Sequence, residues 1–252
     1  MRPRLPAGEL RKLRVPPLVA QVLHHRGIAT QAELDAFLAA GPGAFTDPLL
    51  LPGMEPAVVR VKAALAASET IGVFGDFDVD GVTGTALLAR SLTQMGAKVL
   101  PYLPHRVHEG HGLNPDAVRH LKAQGVSLLV TVDCGVTSAP EVALARELGM
   151  DVVITDHHAP PHELPRAVAI VDPRLGGAGS PGADLSGAGL AFKLAQALQA
   201  PDAVPDGALL QLAALGTIAD VAPLTGENRA LVKEGLRAIR TSPLPGLQAL
   251  LR

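Results

Sequence analysis

Three aspartates at alternate positions, Asp76, Asp78 and Asp80, stand in the segment VFGDFDVDGVTGTALL (73–88). An apolar, strand-like run leads into them, and a glycine and a second apolar run follow. Carboxylates this close repel one another unless protons or a cation intervene. Taken alone, the run also reads as helix caps and a turn, places that aspartate favours. Further polar groups stand at comparable places. The segment PHRVHEGHG (104–112) carries Arg106, and Asp133-Cys134-Gly135, Asp156-His157-His158 and Asp172-Pro173-Arg174 each follow an apolar stretch. Oxygen donors and imidazole without a thiolate cluster suit Mn²⁺ or Mg²⁺ and argue against structural zinc. A two-metal hydrolytic site accounts for the charge excess, because two divalent ions stabilise carboxylates that otherwise could not share a pocket.

Each residue has a plainer reading beside the chemical one. Asp133 also reads as a phosphoacceptor or a helix cap. Cys134 reads as a small buried residue, since no dedicated base accompanies it. His157 and His158 alone are ambiguous between ligands and capping or core histidines. His105, His108, His111 and His162 are expected to be solvated loop residues, and His24 and His25 lie on a remote helical segment and read as structural.

The elements that must position these groups are legible in the pattern. Apolar runs TIGVFG, KVLPYLP, SLLVTV, DVVIT and AVAIV lack polar alternation and alternate with helical segments. That pattern predicts an α/β fold with a mainly parallel five-stranded sheet and helices on both faces. In such sheets ligands bind outside the carboxyl ends of the strands, where every chemistry-bearing segment falls. Asn114-Pro115 and Ser138-Ala-Pro-Glu141 open helices, and the helix after Asp80 is expected to start near Thr83. Residues 16–68 read as helical, with a capping box at Thr30 and Glu33. A Gly/Pro-rich loop (173–189) precedes a helical tail that includes 190–200. The expected domains are a helical lead-in, 1–68, packed on a catalytic domain, 69–252.

Bulk properties narrow the function. The 252 residues hold 22 basic and 24 acidic side chains, so no global basic signature of nucleic-acid binding exists. Five Phe, one Tyr and no Trp leave few rings for stacking bases. No apolar stretch is long enough to span a membrane. The N-terminal MRPRLPAGELRKLR lacks an apolar signal-peptide core, and one cysteine fits a reducing cytoplasm.

Gly75-Asp76-Phe77-Asp78-Val79-Asp80-Gly81, Asp133-Cys134-Gly135, Asp156-His157-His158 and the GTIADV of 216–221 resemble the ordered motifs of the DHH phosphoesterase superfamily. PHRVHEGHGL (104–113), SGAG (186–189) and GTIADVAPLTGENR (216–229) resemble its RecJ-type single-stranded-DNA exonucleases. The resemblance implies a 5′→3′ exonuclease of DNA repair and recombination that uses Mn²⁺ or Mg²⁺ in a two-metal site. Residue by residue it implies metal ligation by Asp78, Asp80, Asp133, His157 and Asp220, with Asp76 a ligand or a support for one. It implies that Asp156 orients a neighbouring imidazole, that His158 meets the scissile phosphate or adds a ligand, and that Arg106 binds a phosphate.

The resemblance implies a continuation into a DHHA1 domain and an oligonucleotide-binding fold, and neither is expected within the residues up to Arg252. The implied partner is single-stranded DNA with a 5′ end, held weakly by this chain, and a single-strand-binding protein or a helicase would dock on the missing regions. A phosphoesterase for short oligonucleotides or small molecules, and a non-catalytic DHH binding module, stand as alternatives.

Overall fold

Five apolar segments become five strands; those at 70–75, 126–132 and 151–155 are buried almost throughout, while the edge segment 98–102 is only half-buried. The computed structural model describes residues 6–10, 12–199 and 206–252. The first five residues of the N-terminal segment, and Ala200 at the end of the expected 190–200 helix, lie outside them. The chain runs through α1 (Ala7–Leu10), α2 (Pro17–His24), α3 (Gln31–Ala39) and α4 (Met54–Ala66) into β1 (Thr70–Gly75). Then come α5 (Val79–Gln94), β2 (Lys98–Tyr102), α6 (Pro115–Ala123), β3 (Val126–Val132), α7 (Ala139–Glu147), β4 (Asp151–Thr155) and β5 (Ala169–Val171). The tail holds α8 (Gly187–Leu198), α9 (Gly207–Ala219), α10 (Gly226–Thr241) and α11 (Pro245–Leu250).

The strands pair only in parallel, in the order β2-β1-β3-β4-β5. The order reverses between β1 and β3, and that switch point is where an open α/β sheet leaves a crevice for ligand. β2 is an edge strand and tolerates Pro101, which supplies no ladder donor. One face of the sheet, with Ile71, Val73, Leu128 and Val130, is covered by α4, α5, α8 and α9. On the other face Phe74, Leu129, Val152 and Ile154 pack under α6 and α7. Side chains pointing alternately to two covered faces explain the absence of polar alternation. No helix among the described residues is long and apolar enough to cross a membrane.

Local signals set most helix starts. The Thr30–Glu33 capping box is complete, and the Asn114 side chain accepts from the Ala117 amide at 2.8 Å. Ser138 precedes α7 but makes no side-chain cap. The α2–α3 pair buries its own small cluster (Ala20, Leu23, Leu34) and docks on α10 through carbonyls at the end of α3. Arg229 Nε donates to Phe37 O at 2.6 Å, and Lys233 Nζ donates to Leu38 O and Ala39 O.

One buried charge pair ties α8 to the start of α10. Lys193 is wholly buried, and its Nζ lies 2.6 Å from Glu227 Oε1 while also donating to Thr46 O and Gln196 Oε1. Removing one partner of such a pair strands a charge and costs about 3–5 kcal/mol. Lys193→Met is therefore expected to lower the unfolding free energy by about that amount in urea titrations. The double variant Lys193→Met/Glu227→Gln is expected to recover part of the loss.

Candidate metal centre

The turn after β1 is built by its own aspartates. The Asp76 amide continues the sheet by donating to Val132 O at 3.3 Å. Asp78 then caps α5, its Oδ1 accepting from the Gly81 amide at 3.0 Å. The helix therefore begins at Val79, four residues before the expected Thr83, and Asp80 falls in its first turn. There the unpaired amides of the helix start favour a negative charge.

Asp80 also reaches across the fold. Its Oδ2 accepts from the Gly187 amide at 2.6 Å and its Oδ1 from the Ala188 amide at 2.9 Å, both in the first turn of α8. Small residues make that approach possible. A Cβ on Gly187 would lie 2.4 Å from Asp133 Cβ, and one on Gly216 would lie 2.5 Å from Asp80 Oδ1.

β3 and β4 deliver the remaining groups. The Asp133 amide donates to Thr155 O at 3.0 Å, and the backbone then turns sharply, with Asp133 at φ 63°. Positive φ away from glycine is sparsely populated and costs energy that functional sites often retain. Val221, directly after Asp220, shows the same strain at φ 59°. Asp156 is saturated. Its Oδ1 accepts from the His157 and His158 amides and from His158 Nδ1 at 2.7 Å, and its Oδ2 accepts from the Val136 amide.

His157 Nε2 stands 3.0 Å from Asp133 Oδ1 and 3.8 Å from Asp80 Oδ2. The nearer contact lacks hydrogen-bond alignment, so Asp133 Oδ1 is a buried oxygen with no hydrogen-bond partner. Two trios have ligand atoms within 4.8 Å of one another: Asp80, His157 and Asp220, and Asp133, His157 and His158. A bare carboxylate oxygen among hard oxygen donors and imidazole fits a small divalent cation.

The electrostatics match. Burial, reinforced by the charges of Asp80 and Asp78, pushes the Asp133 carboxyl up to about 7 against the opposing pull of His157. Burial likewise raises Asp80 despite the two amides that favour its charge. His158 goes up to about 9, chiefly through its hydrogen bond to Asp156. Burial opposes charge on His157, but Asp133 and Asp80 outweigh it and its pKa rises. Cys134 is buried, and burial drives its thiol well above the ordinary value, which removes it as a nucleophile.

A cavity of about 280 Å³ opens beside this cluster, lined by Asp133, Asp156, His158, Asp76 and His111. His111 and Gly112, at the end of the 104–112 segment, form part of its wall. Glu109 anchors that segment, accepting from Tyr102 Oη at 2.6 Å, the His105 amide at 2.7 Å and Asn114 Nδ2 at 3.3 Å. Asp76 receives the other end, from the Gly112 amide and His111 Nδ1.

Of the residues singled out in the sequence, Asp80, Asp133, His157, His158 and Asp220 come together. Asp76 and Asp78 are in neither trio: Asp76 holds the end of the 104–112 segment and Asp78 caps α5. Asp156 supports the His158 ring. Arg106 is outside the cavity, its guanidinium 4.9 Å above the Phe77 ring. His111, read as a solvated loop residue, contacts both Asp76 and Phe77. The α8 amides that hold Asp80 lie more than a hundred residues away in sequence, and only the SGAG run hinted at them.

Burial and the Glu109 carboxylate push the Tyr102 phenol up to about 12. This raised value favours the folded protein fully below about pH 10, and that contribution fades as pH climbs toward 12. Tyr102 is the single tyrosine and there is no Trp, so phenolate absorbance reports it directly. Glu109→Gln is expected to move the titration midpoint down.

The DHH family, N-terminal domain, matches residues 70–217. The single-stranded-DNA-specific exonuclease RecJ of Bacillus subtilis is 44% identical over 241 residues, which is 96% of this chain and 30% of that protein. RecJ of Thermus thermophilus in complex with Mn²⁺ superposes with a TM-score of 0.78 at 38% identity, covering 98% of this chain and 35% of that one. The same protein with Mg²⁺ gives 0.66 at 35% identity, covering 98% and 32%. The chain thus spans about a third of the length of these relatives. With the family pattern matched from β1 almost to the end of α9, over more than half of its residues, the chain belongs to the DHH family.

Proposed function

We propose that this chain is a divalent-metal-dependent phosphodiesterase domain that removes nucleotides from the 5′ end of single-stranded DNA. The observation that carries the reading is the pair of adjoining trios at the β1/β3 switch point, joined through His157. In it, Asp80, Asp133, His157 and Asp220 hold one or two Mn²⁺ or Mg²⁺ ions, with Asp78 adding negative charge nearby. RecJ relatives solved with Mn²⁺ and with Mg²⁺ support that choice of ion. Bound there, such ions would polarise a phosphoryl oxygen and activate water. Asp133, whose buried Oδ1 has no hydrogen-bond partner, would be among the residues holding such an ion.

The chain's own groups supply the rest. Asp156 fixes the His158 ring through Nδ1, leaving Nε2 to meet the scissile phosphate or its leaving oxygen. Asp76 and Glu109 brace the 104–112 segment. Arg106 has no ion pair among the described residues and presents its guanidinium fork to a phosphate of the strand. We assign catalysis to residues 69–252, with 1–68 as a helical lead-in.

The test is Mn²⁺-dependent release of nucleotides by the 252-residue chain from a 5′-labelled single strand, beside a dinucleotide and pyrophosphate. Release from the 5′ end that chelation abolishes is expected. Asp133→Asn is expected to lower it at least about 100-fold, and Asp156→Asn about 10–100-fold, as for residues that orient metal-site groups. Cleavage of the dinucleotide alone would make this a short-substrate phosphoesterase. Metal binding without hydrolysis would make it a binding module.

A further inference from the structure

Packing consumes the phenylalanine rings. Phe74 stacks on Tyr102 with centroids 5.5 Å apart, Phe45 packs on Phe192, and Phe37 lies under the Arg229 guanidinium. Phe77, beside the metal centre, is covered by His111 at 4.2 Å and by Arg106 at 4.9 Å. No phenyl ring near the centre is therefore free to receive a base.

His111 is different. Its ring rests on Phe77, and its Nδ1 lies 3.1 Å from Asp76 Oδ2. A carboxylate accepts only, so Nδ1 carries the proton and the ring is fixed in one orientation. The next amide, Gly112, reaches Asp76 Oδ1 at 3.4 Å and pins the backbone as well. Yet the side chain is 76% exposed, and it borders the 280 Å³ cavity that Asp133 and His158 also line. A flat ring held at Nδ1, tilted 42° against Phe77 and largely exposed, is a preorganised surface for another flat ring. Such fixation spares the entropy loss of ordering a loop histidine on binding.

We propose that His111 is a stacking platform for the base of the nucleotide whose phosphate lies at the metal centre, with Asp76 and Phe77 as its positioning residues. The inference rests on the nuclease reading for the place of that phosphate. It gives the platform tolerance for any base, since every base offers a π face. It also gives Asp76 a task distinct from metal ligation.

The test is equilibrium binding, by fluorescence anisotropy with Ca²⁺ in place of Mn²⁺, of two 5′-phosphorylated oligonucleotides. One carries its 5′-terminal base and the other is abasic at that nucleotide. The protein is expected to prefer the first by roughly 5- to 150-fold, the range for one stacked base. His111→Ala is expected to bring the ratio near one, and His111→Tyr to restore it. His111→Asn keeps a donor for Asp76 but has no ring, and is expected to behave like the alanine variant. An unchanged ratio in His111→Ala, a wild-type ratio near one, or no binding of either strand would overturn the proposal. Base-dependent binding without any cleavage would instead count against the nuclease reading alone.

Discussion

Carboxylates that are close together and out of water are the constraint on which this structure turns. Asp80, Asp133, Asp156 and Asp172 are each at most 3% exposed. Burying one unpaired charge is costly, and burying several of one sign is worse. The fold meets that cost unequally. Asp156 receives four donors, and His158 together with the amides holds its carboxyl below the usual range in spite of burial. Asp80 receives two amides at the start of a helix. Asp133 keeps a bare oxygen and is pushed up to about 7. The unmet remainder lies where the two trios meet, and a divalent ion is the species that would meet it.

The surrounding architecture serves that arrangement. Parallel strands end at one edge, so β1, β3 and β4 deliver their polar termini side by side. α8 brings amides to Asp80, and the end of α9 brings Asp220, because both helices pack against α5. Glycine at 187 and 216 lets backbone approach carboxylate closely enough for this, and any Cβ there would displace it. Strain at Asp133 and Val221 sits on the two segments that close the cluster.

Much of this was legible in the residues. Apolar runs gave the five strands, and Asp133, Asp156 and His157 could be located because they follow those runs. Asn114 and Thr30 act as caps through side-chain chemistry that is local in sequence. α5 starts at Val79 rather than near Thr83 because Asp78 caps it, and Gly81 and Gly84 lie inside it. They are tertiary necessities: a Cβ on Gly81 would lie 2.4 Å from Asp76 O, and one on Gly84 would lie 2.6 Å from a Val132 methyl. The bond between Asp80 and α8, and the clasp of His111 by Asp76, join distant segments and leave no local pattern. Asp76 and Asp78 share the alternation of Asp80 but precede the helix that begins at Val79, whereas Asp80 lies in its first turn.

Anomalous scattering from crystals of the full chain grown with Mn²⁺ tests the central claim most directly. Manganese density is expected between Asp80, His157 and Asp220 and beside Asp133, with ligand distances of about 2.0–2.3 Å. Manganese bound elsewhere, or a fully loaded crystal in which His157 and Asp133 still face each other with no metal between the trios, would contradict it.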